Sequence, residues 1–352
     1  MAALFGDSRI ITPPSSSLLH SALLKVAFSL LSSKTDNTDI RNENSGASIK
    51  GLEEVLDVIC NRADENLHSI PGGLRRRVFA AVHGLHYAVE KWKGDHSQFL
   101  RYKDGGHFFH WRSDGTIDSV KTAEHLVMDE NINIRERFDL ACLYSLEQSI
   151  QTLWTEMESS GESENFSSRV RFWVRWLRDG SRVAWTQVVR EYLDPPPIFE
   201  LRFSSLLPLL QSEERNELFF YLRFATDDDF RYCLYLITQK EEVQIMEMYA
   251  ARVLRLHLNW PLQSLFLETA EKVWKYIDDE DFNSLLYRIL YLKKFAKDYD
   301  YGELFEDFWN MSPTHLKESV KGDPNLREVI DKNKKRKADD YEPQNSKKEK
   351  YI

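Results

Sequence analysis

The apolar residues of this chain recur three and four positions apart along almost its whole length, and that spacing restricts the fold more than any other feature. After Pro261 they read Leu262, Leu265, Phe266, Ala270, Val273, Trp274 and Ile277. A helix of 3.6 residues per turn gathers such a stripe on one face, with the proline read as a first-turn residue. Leu52, Val55, Leu56, Ile59 and Cys60 form a second stripe, and Leu74, Val78, Val82, Leu85, Val89 and Trp92 a third. Glycine and proline number only 14 and 11 in 352 residues, fewer than the tight turns of an all-β chain require. The expected fold is all-α: stacked helical hairpins, either solenoid-like or as two helical bundles. One stretch departs from the helical period. "HFFHWRSDGTIDS" (107–119) sets an Asp114-Gly115 turn signal among β-compatible residues, so a small β-hairpin is expected there.

Polar stretches divide the chain. Lys34–Lys50 and Ser159–Ser168 read as linkers and a basic tail begins near Asp331, which predicts an N-terminal helix (1–33), a helical domain over 51–158 and a helical-hairpin domain over 169–330. The apolar run "SLLHSALLKVAFSLLSS" (17–33) is interrupted by His20 and Lys25 and is shorter than the ~20 residues a membrane span needs. It reads as an amphipathic helix capped by the serines before it, neither an export signal nor a span. Cys60, Cys142 and Cys233 lie roughly eighty to ninety positions apart with no CxxC pair, which fits reduced, buried thiols better than a disulfide framework or a zinc knuckle.

Asp229-Phe230, Leu234-Tyr235 and Ile237 recur 52 positions later as Asp281-Phe282, Leu286-Tyr287 and Ile289, each set behind an acidic N-cap cluster. Two readings stay open: a pair of stacked repeats, somewhat longer than the usual period of ~40–47 residues, or chance likeness between amphipathic helices. The segments "RERFDLACLYSLEQSIQTLW" (135–154), "WPLQSLFLETAEKVWKYI" (260–277) and "YGELFEDFWNMSPTHLK" (301–317) resemble a group of uncharacterised, all-helical intracellular proteins of arthropods, several of them similar in layout to helical-repeat proteins. The resemblance implies a helical fold and no particular chemistry. The T-P-L-H signature of ankyrin repeats is absent.

Three surfaces are candidates for function. His83, His86 and Glu90 share one helix face, and His107 and His110 follow a Gly105-Gly106 turn, so imidazoles on a metal are one reading and half-buried structural histidines the other. The spacing matches neither HExxH nor a facial triad. In "RVRFWVRWLRDGSRVAWTQVVR" (169–190), Arg171, Arg175, Arg178 and Arg182 recur at helical spacing beside Trp173 and Trp176. Those residue types grip acidic partners or phosphates, and they also dominate protein interfaces. Against nucleic acid stands the charge: the tail carries eight basic and five acidic side chains, so residues 1–330 hold −12 against a whole-chain net of −9. No G-x-S-x-G elbow, phosphate-binding glycine loop or acid/base pair singles itself out, so no catalytic residue and no cofactor is assigned.

Lys334, Lys335, Arg336 and Lys337 form a compact cationic run, and Lys347 and Lys348 follow after nine intervening residues, the layout of a one- or two-part nuclear import signal read as an extended segment by an import adaptor. A solubilising tail is the alternative. The reading that fits best is an intracellular helical scaffold or adaptor of nucleus and cytoplasm that binds other proteins through residues such as Arg171, Arg175, Arg178, Arg182, Trp173 and Trp176. A nucleic-acid-associated factor using 169–190 and a metal-dependent enzyme at His83/His86 are the competing classes.

Overall fold

A computed structural model describes residues 17–32, 71–97, 100, 108–161, 166, 170–179, 202–296 and 298–331. Among them the architecture is all-α. In chain order the helices are α1 (Leu18–Ser32), α2 (Gly72–His96), α3 (Ser119–Met128), α4 (Ile134–Leu143), α5 (Glu147–Ser160), α6 (Arg171–Asp179), α7 (Phe203–Leu206), α8 (Ser212–Phe219), α9 (Asp227–Leu236) and α10 (Gln239–His257). There follow α11 (Phe266–Val273), α12 (Asp279–Phe295), α13 (Tyr301–Met311) and α14 (Thr314–Ser319). Helices pack mostly on their chain neighbours, α1 on α2, α4 on both α3 and α5, and α12 on α13, while α9 reaches back to α7.

Local chemistry sets the helix ends. Asp118 caps α3 and Asn133 caps α4, each accepting a backbone N–H of the first turn. Helix α4 ends in a full Schellman motif: Leu146 N–H donates to Ala141 O at 2.9 Å and Ser145 N–H to Cys142 O at 3.2 Å. Ser145 takes the left-handed position usually given to glycine, with φ +54°.

The chain divides into two compact units, one of residues 1–248 and 259–261, the other of 249–258 and 262–352. The polar stretch 159–168 therefore lies inside the first unit, and the change of unit falls within α10, where Tyr249 leaves helical geometry (φ −140°, ψ 15°). In the first unit a buried cluster joins Trp92 and Phe109 to Phe138, Ile150, Met157 and Trp173. A second packs α1 on α2, where Val82 and Leu85 are wholly buried. Trp260 wedges into that second cluster: a Cβ added at Gly84 of α2 would overlap its indole, and one at Gly115 would stand 2.5 Å from it. Both glycines are thus required by close approach, and Gly115 also by its φ of +87°.

In the second unit the core is an aromatic stack in which Phe308 meets Phe266 at 5.0 Å, Trp274 at 5.2 Å and Phe282 at 5.5 Å between ring centroids.

Two local expectations change. The stripe after Pro261 is buried as expected, but α11 starts only at Phe266, after a 3₁₀ turn over Gln263–Leu265, so Pro261 is not a first-turn residue. The reason is tertiary: Trp260 is held against Gly84 and Gly115 of the first unit, and the chain changes unit before the helix begins. The hairpin around 107–119 shrinks to one antiparallel bridge, Trp111 to Ile117, flanked by Arg112 N–H to Thr116 O (2.8 Å) and Asp118 N–H to His110 O (2.7 Å). The ladder ends there because Asp118 turns to cap α3. His107 lies outside the described residues.

The 52-residue likeness holds at the helix starts: Thr226 caps α9 and Asp278 caps α12, each receiving the N–H of the third residue on, and Phe230 and Phe282 are both fully buried. It ends two turns later, since α9 stops at Leu236 while α12 continues to Phe295. Cys142 and Cys233 are free and buried, as read from the sequence; Cys60 lies outside the described residues, as does the stripe beginning at Leu52.

Candidate functional site

The strongest concentration of chemistry among the described residues is a buried charge cluster in the first unit. Thr226 starts α9 and brings three consecutive acids, Asp227, Asp228 and Asp229, into its first turn, where the helix dipole favours them. Asp229 points inward and is 1% exposed. Its carboxylate accepts the N–H of Phe203 at 2.7 Å and of Ser204 at 3.1 Å, so one helix supplies the N-terminal cap of another, α7. Arg202, immediately before α7, is itself 6% exposed. It donates from Nη1 to Asp228 Oδ2 at 3.1 Å, and its Nε lies 3.7 Å from Asp229 Oδ1. Arg231 donates to Asp228 Oδ1 at 2.9 Å and Ser119 Oγ to Oδ2 at 2.8 Å.

The two adjacent carboxyls are driven apart. At Asp228 burial pushes the pKa up, but Arg202, Arg231 and the Ser119 hydroxyl outweigh it and hold the group below its usual range. At Asp229 burial prevails over Arg202 and the bonds from Ser204 and Phe203, and the group sits above it. Tyr144 lies under the Arg202 guanidinium, 4.6 Å from ring centroid to carbon. Burial pushes its phenol up more strongly than Arg202 pulls it down, so it stays protonated. His96 is neutral, its pKa lowered to about 4 first by burial and then by Arg202. Its Nδ1 faces the Trp92 carbonyl at 2.7 Å, an acceptor only, which assigns the proton there; Nε2 then accepts from the Tyr144 hydroxyl at 2.8 Å.

Tyr144, Ser204 and Arg231 carry this cluster to the wall of a cleft of about 1010 Å³. It is enclosed by α3, the link between α4 and α5, α7, α9 and the turn 112–116. Arg112 stands 4.5 Å over the Tyr232 ring and 3.7 Å from Asp118, and Tyr232 donates to Ile117 O at 3.4 Å. Met128, 74% exposed, and Leu236 give the lining apolar patches. The cleft therefore offers phenol and serine hydroxyls, guanidinium groups already engaged by carboxylates, and apolar edges above buried ion pairs. That combination suits recognition of polar backbone and apolar side chains together.

The residues singled out in the sequence fall elsewhere. Trp173 is buried in the core and donates its indole N–H to Cys142 O at 3.1 Å, and Trp176, half-buried, packs edge-on against it at 5.5 Å. Arg171 is exposed, Arg175 half-buried, and Arg178 lies 5.8 Å over the Trp154 ring; Arg182 lies outside the described residues. His83 and His86 are half-buried on α2, and His110 packs against His125 at 5.4 Å. Among the described residues no group of three His, Cys, Asp or Glu side chains is placed to hold a metal ion. Lys334 to Lys337, Lys347 and Lys348 lie outside the described residues.

The Asp227–Asp229 run meets Arg202 and Arg231 in the interior. One signal pointed there: capping a helix needs a single acceptor at its start, and Asp227–Asp229 supplies three acids after a threonine already suited to the task.

Fold and cleft together define an all-helical, cleft-bearing protein, and among its described residues no helix is long and apolar enough to cross a membrane. Comparison with protein-family models, with curated proteins and with solved structures finds no match.

Proposed function

We propose that the protein is an intracellular helical scaffold that binds a segment of a partner protein in the cleft between α3, α7 and α9. The observation that carries this reading is the make-up of the cleft wall: Tyr144, Tyr232 and Tyr235 with Arg112 and Arg231, beside exposed Met128 and Leu236. Tyrosine and arginine dominate interface hot spots, and methionine adapts to irregular apolar partners. The buried ion pairs beneath hold the wall in place, so a partner finds it largely preformed. The cleft is preferred to α6 as the partner surface because Trp173 is buried in the core and Trp176 packs half-buried against it.

Affinity capture with the whole chain tests this. Tyr235→Ser with Met128→Ser should weaken partner retention by about tenfold or more while leaving the thermal midpoint unchanged. Retention unchanged in that double variant but lost on Arg171→Glu and Arg178→Glu would move the partner site to α6.

The basic tail adds a nuclear address to the proposal. Fusion of residues 331–352 to a fluorescent carrier should concentrate it in nuclei, and Lys335→Ala with Arg336→Ala should abolish the concentration. A uniform distribution of the unaltered fusion would remove this element and leave the cleft reading intact.

A further inference from the structure

Met128 and Leu236 leave edges of the cleft open to solvent, and its volume of about 1010 Å³ stands at the top of the ~300–1,000 Å³ range of small-molecule sites. A stretch of peptide fits such a space better than a metabolite does. One wall is a row along α3: Val120, Glu124 and Met128, at i, i+4 and i+8, all line the cleft. An acid thus stands in line between two apolar groups. Ser145, Ser149 and Ser205 add half-buried hydroxyls to the lining. They suit the open backbone of an extended segment, whereas a helix bonds its own.

Charge decides which segment fits. Two arginines and three acids line the cleft: Arg112, Arg231, Asp114, Glu124 and Glu147. Both arginines are already committed, Arg231 donating to Asp228 Oδ1 at 2.9 Å and Arg112 standing 3.7 Å from Asp118. Asp114 is committed too, accepting the backbone N–H and the hydroxyl of Thr116 at 2.8 Å and 2.7 Å. Glu124 and Glu147 are exposed, and the Glu124 carboxylate has no ion-pair partner among the described residues. The charge left for a ligand to meet is therefore negative. An acidic segment is repelled by Glu124 and Glu147 and has to displace Asp118 or Asp228 to reach either arginine. A wholly apolar segment covers the Glu124 carboxylate without giving it a partner, which costs its hydration. A basic one gains at both points, and the net charge of −12 on residues 1–330 draws it in from a distance.

We propose that the cleft takes an extended, basic segment of a partner protein, with a lysine or arginine against Glu124 and apolar side chains two residues to either side of it against Val120 and Met128. Eight residues of helix separate Val120 from Met128 by about 12 Å. Four residues of extended chain cover about 13 Å with every second side chain on one face, so the pattern apolar-x-basic-x-apolar matches the row in either direction. The pattern rests on the cleft being a partner site, as proposed above, and states what the partner must carry there.

A display library of random peptides selected on the full chain should enrich that pattern. An enriched peptide, labelled and titrated by fluorescence anisotropy, should lose about tenfold in affinity on Glu124→Lys and at least as much on Tyr235→Ser with Met128→Ser. Glu130→Lys makes the same charge change on an exposed residue outside the cleft and should alter affinity less than about twofold. Far-UV circular dichroism of each variant should match the unaltered chain, since Glu124, Met128 and Glu130 are exposed and Tyr235 is half-buried. Enriched peptides that lose affinity on the Tyr235→Ser, Met128→Ser pair but hold no excess of lysine or arginine, or are indifferent to Glu124→Lys, overturn the basic segment and leave the cleft as a partner site. Basic peptides with apolar residues four rather than two positions away overturn the extended register. If no enriched peptide is sensitive to that pair, the cleft reading and this one fall together.

Discussion

Asp229→Ala is expected to lower the unfolding free energy by about 3–5 kcal/mol, among the largest effects any single substitution in this chain should have. Its carboxylate satisfies the N–H groups of Phe203 and Ser204 and lies beside the Arg202 guanidinium, all in the interior. Alanine leaves two buried donors without an acceptor and removes one of the two carboxylates that balance a buried cation. That Asp229 sits above its usual pKa does not contradict this, because the cost of burying its charge is offset only while those donors are present. Urea unfolding followed by circular dichroism measures the loss. Arg202→Met added to the same variant should recover part of it, since the uncompensated cation goes too, although Asp228 then keeps only Arg231 and Ser119. An unfolding free energy within about 0.5 kcal/mol of the unaltered chain's would show that α7 does not depend on this cap.

The second large effect is one of pH. His96 is 6% exposed and neutral, with its pKa lowered from 6.5 to about 4 by burial and then by Arg202, against the pull of the Trp92 carbonyl and Asp228. The folded pKa lies below the unfolded one, so protons bind the unfolded chain more tightly. Stability is therefore full above about pH 6.5 and falls as pH drops toward 4, where the folded histidine at last takes up its proton. At about 1.4 kcal/mol per pH unit the shift corresponds to roughly 3 kcal/mol lost across that window. Charging His96 also sets a cation next to Arg202 and ends its acceptance from Tyr144, loosening the wall of the cleft.

His96→Gln keeps a donor and an acceptor but does not titrate, so the difference between the two pH–stability curves isolates this residue from the carboxylates and from His257, which is lowered in both chains. Parallel curves between pH 6.5 and 4 would remove His96 as the cause.

The helical fold was legible because its signal is local. The stripe of α2 from Val78 to Trp92 and the stripe around Phe266 and Val273 each lie within a few turns, and every one of those four residues is buried. Caps were legible for the same reason, since Asp278 bonds a backbone N–H only three residues on. What the spacing left open was the place of Trp173 in α6. A Trp at helical spacing reads alike whether it faces a core or a partner, and only the packing of Trp173 against Cys142 decides between them.

By itself, then, the sequence determined the helical period, the starts of α9 and α12 at their acidic clusters and the free, buried state of Cys142 and Cys233, because each follows from chemistry within a few residues or from simple burial preference. The tertiary structure alone decided that Arg202 meets Asp228 and Asp229, that the chain from Arg112 to Leu236 encloses a cleft, and that Trp260 rather than Pro261 sets where α11 begins. Those pairings join residues 26 to more than 170 positions apart. They are chosen by the need to bury apolar surface while pairing the charges that go inside with it, a condition set by the whole packed unit rather than by any one stretch of chain.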